Sequence, residues 1–127
     1  PCKAIRHKLN DEQCLSASIY HEARGEGMRG MSLVGNVILN RAKLYNKSLC
    51  GIVFEQHQFS WTKNKKPTDD EVSRHIANIL LISKRKRSRI DVSNGATYFA
   101  RVNVRKRWMR NLIASCKHKK HIFYREK

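Results

Sequence analysis

The chain has 127 residues, 40% of them hydrophobic. That suffices for one modest core in a single domain, 1–127, and no apolar run approaches the roughly 20 residues of a membrane span. Lys and Arg number 27 against 10 Asp and Glu, a net charge of +17, which points to a polyanionic partner or surface (nucleic acid, phospholipid, lipopolysaccharide or an acidic wall) without choosing among them.

A soluble domain is expected. No signal peptide is visible at Pro1-Cys2-Lys3, and the missing Met leaves export open. Cys2, Cys14, Cys50 and Cys116 are widely spread. Without C-x-x-C or C…H spacing they do not suggest a metal site. Four cysteines allow three pairings, and free or structural thiols are the favoured reading.

Asn10 or Asp11 can cap a first helix. Within it Leu15, Ile19, Glu22 and Glu26 recur at spacings of four, three and four, so they share one stripe. Both glutamates are thereby expected on the apolar face of one helix, with Gly25, Gly27 and Gly30 ending or distorting it after Glu22. A second helix, roughly Met31 to Tyr45, is apolar on most sides and should be central. Its Asn36 and Asn40, four apart, either face a polar cleft or are satisfied by backbone or water.

Cys50 to Phe54 is a short apolar segment, helix or strand, and Lys63 to Pro67 reads as a solvated loop. Thr68-Asp69-Asp70-Glu71 reads as a capping box opening a helix with Val72, Ile76, Ile79 and Leu80 inward. That helix ends in the basic run Lys84 to Arg89. Asn94-Gly95 signals a turn and Ala96 to Ala100 a strand. Trp108 to Cys116 reads as a short last helix, and Ile122 to Tyr124 as a terminal strand.

A carboxylate on an apolar helix face loses hydration, which raises its pKa. A raised pKa lets a carboxylic acid protonate a leaving group. The competing reading is a buried glutamate held by arginine or backbone donors. Glu22, before the glycines, can reach a cleft; Glu26, among them, is placed to tie down the following loop.

The stretch "LSASIYHEARGEGMRGMSLVGNVILNRA" resembles the core motif of the SleB-type cell-wall hydrolases, which include spore-cortex-lytic enzymes and some phage endolysins. The residues carrying the likeness are Glu22-Ala23-Arg24-Gly25-Glu26, Gly30 and Val37-Ile38-Leu39-Asn40-Arg41. Further on come Ser48 to Phe54, Gln58-Phe59-Ser60-Trp61, Gly95 to Phe99, Trp108 and His121 to Tyr124. Tyr98 stands where the family usually has His, and Lys119-Lys120 replaces a glycine-asparagine pair. The resemblance implies a lysozyme-like, predominantly helical α+β domain with a small β element. It also implies cleavage of the β-1,4 bond between N-acetylmuramic acid and N-acetylglucosamine in peptidoglycan, with Glu22 as the single catalytic residue.

A hydrolase of this kind needs a second carboxylate across the cleft, and no clear partner for Glu22 is evident. Lytic transglycosylation, in which the muramyl 6-hydroxyl attacks and leaves a 1,6-anhydro end, is therefore preferred over a hydrolytic muramidase. Gln58, Phe59, Trp61, Tyr98 and Tyr124 are expected to line the cleft. Phe59 and Trp61 also read as core packing. Asn40 and His121 are further candidate sugar contacts, and Glu26 and Arg24 are supporting residues; for His121, as for His21, a structural hydrogen bond is the competing role.

No cofactor or metal is expected. The expected partners are peptidoglycan glycan strands and an anionic envelope surface, with a monomer acting on the wall outside the membrane. Small size and high charge suit a phage endolysin made in the host cytoplasm and released by a holin. The rival class is a basic nucleic-acid- or anionic-membrane-binding module. No helix-turn-helix, zinc or RNA-recognition motif supports nucleic acid.

Overall fold

The computed structural model describes residues 9–55, 59, 61–64 and 66–127. Helices come first and a small sheet last. α1 (Asp11–Ala23) opens on a reciprocal cap: Asn10 Oδ1 accepts from Gln13 N at 2.8 Å, and Gln13 Oε1 accepts from Asn10 N at 2.9 Å. Cys14, Leu15, Ala17 and Ile19 are buried. The helix stops at Ala23, and the backbone turns through Gly25 (φ +85°), a conformation that costs glycine little.

α2 (Gly27–Tyr45) therefore begins four residues before the expected Met31. Glu26 is its N-cap rather than a continuation of α1, which corrects the single-stripe reading of the two glutamates. α2 is the central helix, with Leu33, Val34, Val37, Ile38 and Leu39 at most 1% exposed. At Gly35 a Cβ would run into Leu80 Cδ1 and stand 3.2 Å from Ile19 Cδ1. The missing side chain is what lets α1, α2 and α5 (Glu71–Arg85) meet closely.

α3 (Leu49–Val53) settles the ambiguous apolar segment as helix, capped by Ser48 Oγ accepting from Gly51 N at 2.9 Å. A disulfide joins Cys14 of α1 to Cys50 of α3, so the favoured free-thiol reading fails for this pair. Pairing depends on proximity in space, which spacing along the chain did not reveal. Cys116 is a free thiol; Cys2 lies outside the described residues. α4 (Trp61–Asn64) includes Lys63 and Asn64, expected in a loop.

Asp70, not Thr68, caps α5, its Oδ1 accepting from Ser73 N at 2.7 Å. The inward stripe is Ser73, Ile76, Ala77 and Leu80, at spacings of three, one and three. Val72 and Ile79 fall beside it, 45% and 44% exposed, contrary to expectation. No helix among the described residues is long and apolar enough to cross a membrane.

The turn at Asn94 (φ 55°) and Gly95 (φ 84°) leads toward β1 (Tyr98–Arg101). Where a last helix was expected, only one 3-10 turn (Arg107–Asn111) forms, followed by β2 (Leu112–His118). β2 pairs with β3 (His121–Glu126), and the sheet is antiparallel in the order β1-β3-β2. A helical reading of 108–116 lost to this pairing, because β2 runs antiparallel to β3 from Leu112 opposite Glu126 to His118 opposite His121, broken only by a bulge at Ser115. β3 is central and carries the fully buried Phe123.

Candidate active site

A groove of about 370 Å³ lies where the end of α1, one face of α2, α4 and the sheet come together. Glu22 lines it from the last turn of α1 and is half-buried. Val37 and Arg41, four apart on α2, border it from one helix face. Phe59 and Lys63 border it on the α4 side, Thr97 to Arg101 along β1, and His121 from β3. Phe59 and Phe99 meet at 6.3 Å between ring centres, and Phe99 packs against His121 at 5.6 Å and Phe123 at 5.7 Å. The site thus has an aromatic floor that continues into the core.

Arg41 is buried. Its Nη1 donates to the Thr97 carbonyl at 3.1 Å, and its Nη2 lies 3.6 Å from Glu55 Oε1. The guanidinium carbon stands 4.9 Å from the Tyr98 ring centre and 5.3 Å from that of Tyr45, within cation–π range. The Tyr45 and Tyr98 hydroxyls are 2.9 Å apart, and Tyr45 donates to Glu126 at 3.1 Å. Burial, then the hydrogen bonds with Tyr98 and Glu126, push the Tyr45 phenol above its ordinary value. Tyr98 is held by this network from behind the groove.

Glu26 lies behind His121. Glu26 Oε1 and His121 Nδ1 are 2.7 Å apart, both largely buried. Their angle is poor for a hydrogen bond; at this separation in a shielded site the contact acts through charge and dipole. The Glu26 carbonyl also lies 3.1 Å from His118 Nε2. Glu26 thus fastens the start of α2 to the β2–β3 hairpin, as its place among the glycines suggested.

Of the candidates named from sequence, Glu22, Phe59, Tyr98 and His121 converge on the groove. Gln58 lies outside the described residues. Asn40 sits elsewhere: its Nδ2 donates to Asp91 Oδ2 at 2.8 Å and the Ala96 carbonyl at 2.9 Å, and its Oδ1 accepts from Arg89 at 3.1 Å. It pins the loop before β1. Tyr124 is buried opposite Tyr98 in the strand register and borders a separate cleft with Arg105, Lys106, Met109 and Arg110. Arg24 is exposed and stacks over Tyr20 at 4.8 Å. Trp61 is 4% exposed and stacks on His21 at 4.5 Å, so packing is its role. His21 Nε2 lies 3.2 Å from the Lys66 carbonyl.

Sequence reasoning missed Arg41, Lys63, Thr97, Phe99 and Arg101. A signal existed for Arg41, which shares a helix face with Val37. Lys63 and Arg101 carried none, being two cations among 27.

The Cell Wall Hydrolase family model matches residues 25–124, beginning three residues after Glu22. A spore cortex-lytic enzyme of Halalkalibacterium halodurans is 33% identical over 94 residues, 71% of this chain and 27% of that protein. One of Oceanobacillus iheyensis is 38% identical over 56 residues, 42% of this chain and 20% of that protein. The matched stretches thus span about a quarter or less of these relatives' length. Among solved structures, the catalytic domain of the Bacillus cereus SleB protein superposes with a TM-score of 0.75 at 26% identity, covering 96% of this chain and 94% of that one. The catalytic domain of the germination-specific lytic transglycosylase SleB from Bacillus anthracis gives 0.76 at 24% identity, covering 97% and 100%. The helical domain with its small sheet has their fold, and the chain belongs to the Cell Wall Hydrolase family.

Proposed function

We propose that this domain cleaves the β-1,4 bond between N-acetylmuramic acid and N-acetylglucosamine in peptidoglycan by lytic transglycosylation, with Glu22 as acid and then base. One observation carries the reading: Glu22 is the only carboxylate bordering the groove. All ten acids lie among the described residues, so the inventory is complete.

In the reaction the Glu22 carboxyl gives its proton to the bridging oxygen, and the bond from the muramyl C1 to that oxygen breaks. The positive charge gathers on C1 and the ring oxygen. The muramyl 6-hydroxyl then attacks C1, and its proton passes to the Glu22 carboxylate, which restores the acid. No water is consumed and the product carries a 1,6-anhydro ring. A hydrolytic muramidase would place a second carboxylate about 5–9.5 Å from the first. Phe59, Phe99 and Tyr98 offer faces to sugar rings. The related SleB catalytic domain named as a lytic transglycosylase supports the same chemistry.

Glu22→Gln keeps the shape of the side chain and removes the transferable proton. Muropeptide release from purified walls should fall at least about 10²-fold, with the circular dichroism spectrum unchanged. Release at the parental rate would refute the reading. Mass spectrometry of the products separates anhydro ends from the reducing ends of a muramidase. A phage lysis role rests on size and charge alone: co-expression with a holin should lyse a culture that neither protein lyses singly, and an intact culture removes that role.

A further inference from the structure

The basic groups of the groove divide into two kinds. Arg41 is paired with Glu55 and His121 with Glu26. Lys63 and Arg101 are exposed and form no ion pair with any carboxylate among the described residues, which include every Asp and Glu of the chain. They come from separate elements, Lys63 from α4 and Arg101 from the end of β1. The contact between Phe59, which leads into α4, and Phe99 of β1 joins those two sides across the floor. Two unneutralised cations therefore stand at the edges of a concave site that also holds Glu22.

Bare acetamido sugars are neutral and gain nothing from such charges. Muramic acid is different, because its lactyl group carries a peptide stem with free carboxylates. We propose that Lys63 and Arg101 form a carboxylate-reading rim that selects glycan strands bearing acidic peptide stems over strands whose carboxylates are amidated. The inference rests on the peptidoglycan reading above and adds a substrate class to it. Attraction across a solvent-exposed rim is modest per pair and screened by salt, so selection shows as a several-fold preference rather than an absolute requirement.

The test uses soluble stem-bearing glycan fragments and the same fragments with their carboxylates converted to amides. Calorimetry with Glu22→Gln protein at low salt reads binding without turnover; parental protein reads KM and kcat. The acidic fragment should bind about tenfold more tightly than the amidated one. Adding Lys63→Gln or Arg101→Gln should each weaken binding of the acidic fragment about threefold, and with both the two affinities should converge. Lys63→Arg and Arg101→Lys should keep the preference, which separates charge from folding. Equal affinity of the Glu22→Gln protein for both fragments, or losses that fall equally on both, would overturn the rim. If parental protein turns over neither fragment the catalytic reading falls, while the binding comparison still decides the rim.

Discussion

Gly30 offers a test whose sign separates two physical effects. It lies within α2 at an ordinary helical φ, so replacing it with alanine should stabilise the helix by about 1 kcal/mol from propensity alone. The structure argues the opposite. A Cβ at position 30 would stand 2.7 Å from Glu26 Cβ, 3.2 Å from Glu26 Oε2 and 3.2 Å from His118 Cδ2. The closest of these atoms cannot swing aside, because Glu26 Cβ is one bond from the backbone that caps the same helix. Overpacking of this kind costs about 1–3 kcal/mol, and a rigid neighbour puts it in the upper half, about 2–3 kcal/mol. Subtracting the propensity gain leaves Gly30→Ala about 1–2 kcal/mol less stable. For a domain of this size that lowers Tm by about 4–8 °C. Urea unfolding followed by circular dichroism measures the difference, and thermal scans check it. Activity should fall as well, because relief of the clash moves the Glu26 carboxylate away from His121. A Gly30→Ala protein more stable than its parent would mean the Glu26–Gly30–His118 packing is not as described.

The Cys14–Cys50 disulfide closes a loop with a sequence separation of 36, so reduction or Cys50→Ser should lower stability by up to about 4 kcal/mol, read by urea unfolding with and without reductant. Burial pushes the Asp91 carboxyl up, but hydrogen bonds from Ser93, Asn40 and Gly95 outweigh it and hold it below its ordinary value. A lowered folded pKa stabilises above the unfolded value of about 4 and is lost as pH falls through the folded value. Asp91→Asn should accordingly cost about 1–3 kcal/mol at pH 7, a gap that narrows as acid protonates the folded carboxyl; a gap that stays constant through strong acid would refute the assignment. Because the screening length falls from about 10 Å at 0.1 M salt to about 3 Å at 1 M, whole-wall digestion should slow several-fold over that range, and a rate independent of salt would remove electrostatic capture from the account.

What could be read in advance follows how local each determinant is. The start of α1 was legible because Asn10 and Gln13 satisfy each other within one turn. The burial of α2 was legible because apolar residues occupy most of its sides. Glu26 was misplaced because periodicity assumes the helix continues, and the extended Arg24 followed by Gly25 at positive φ breaks that assumption. β2 was misread because its conformation is decided by β3, across a turn with Lys119 at φ 51°. At the site, Glu22, Phe59, Tyr98 and His121 come from four separate segments, and only the ordered motifs gave reason to group them. Asn40 went the other way. An exposed-looking polar residue on a buried helix suggests a cleft, yet Arg89, Asp91 and the Ala96 carbonyl, all about 50 residues on, engage its amide.

Glu22 aside, the other nine acids of the chain have placements that the fold accounts for. Asp11 and Glu12 occupy the first turn of α1, Glu71 the first turn of α5, and Asp70 caps α5; there the helix dipole favours negative charge. Glu26 binds His121, Glu55 binds Arg41 and Lys47, and Asp69 binds Arg74 and accepts from Ser16. Asp91 organises the loop before β1, and Glu126 accepts from Tyr45. Each of these nine placements lowers the energy of the fold or lies at its surface. Glu22 lies in the last turn of α1, the carbonyl-rich end, where a carboxylate is unfavourable, and it borders a concavity rather than open solvent. On the proposed reading proton transfer accounts for an acid there, because the groove brings the Glu22 carboxylate within reach of a ligand lying on Phe59 and Tyr98.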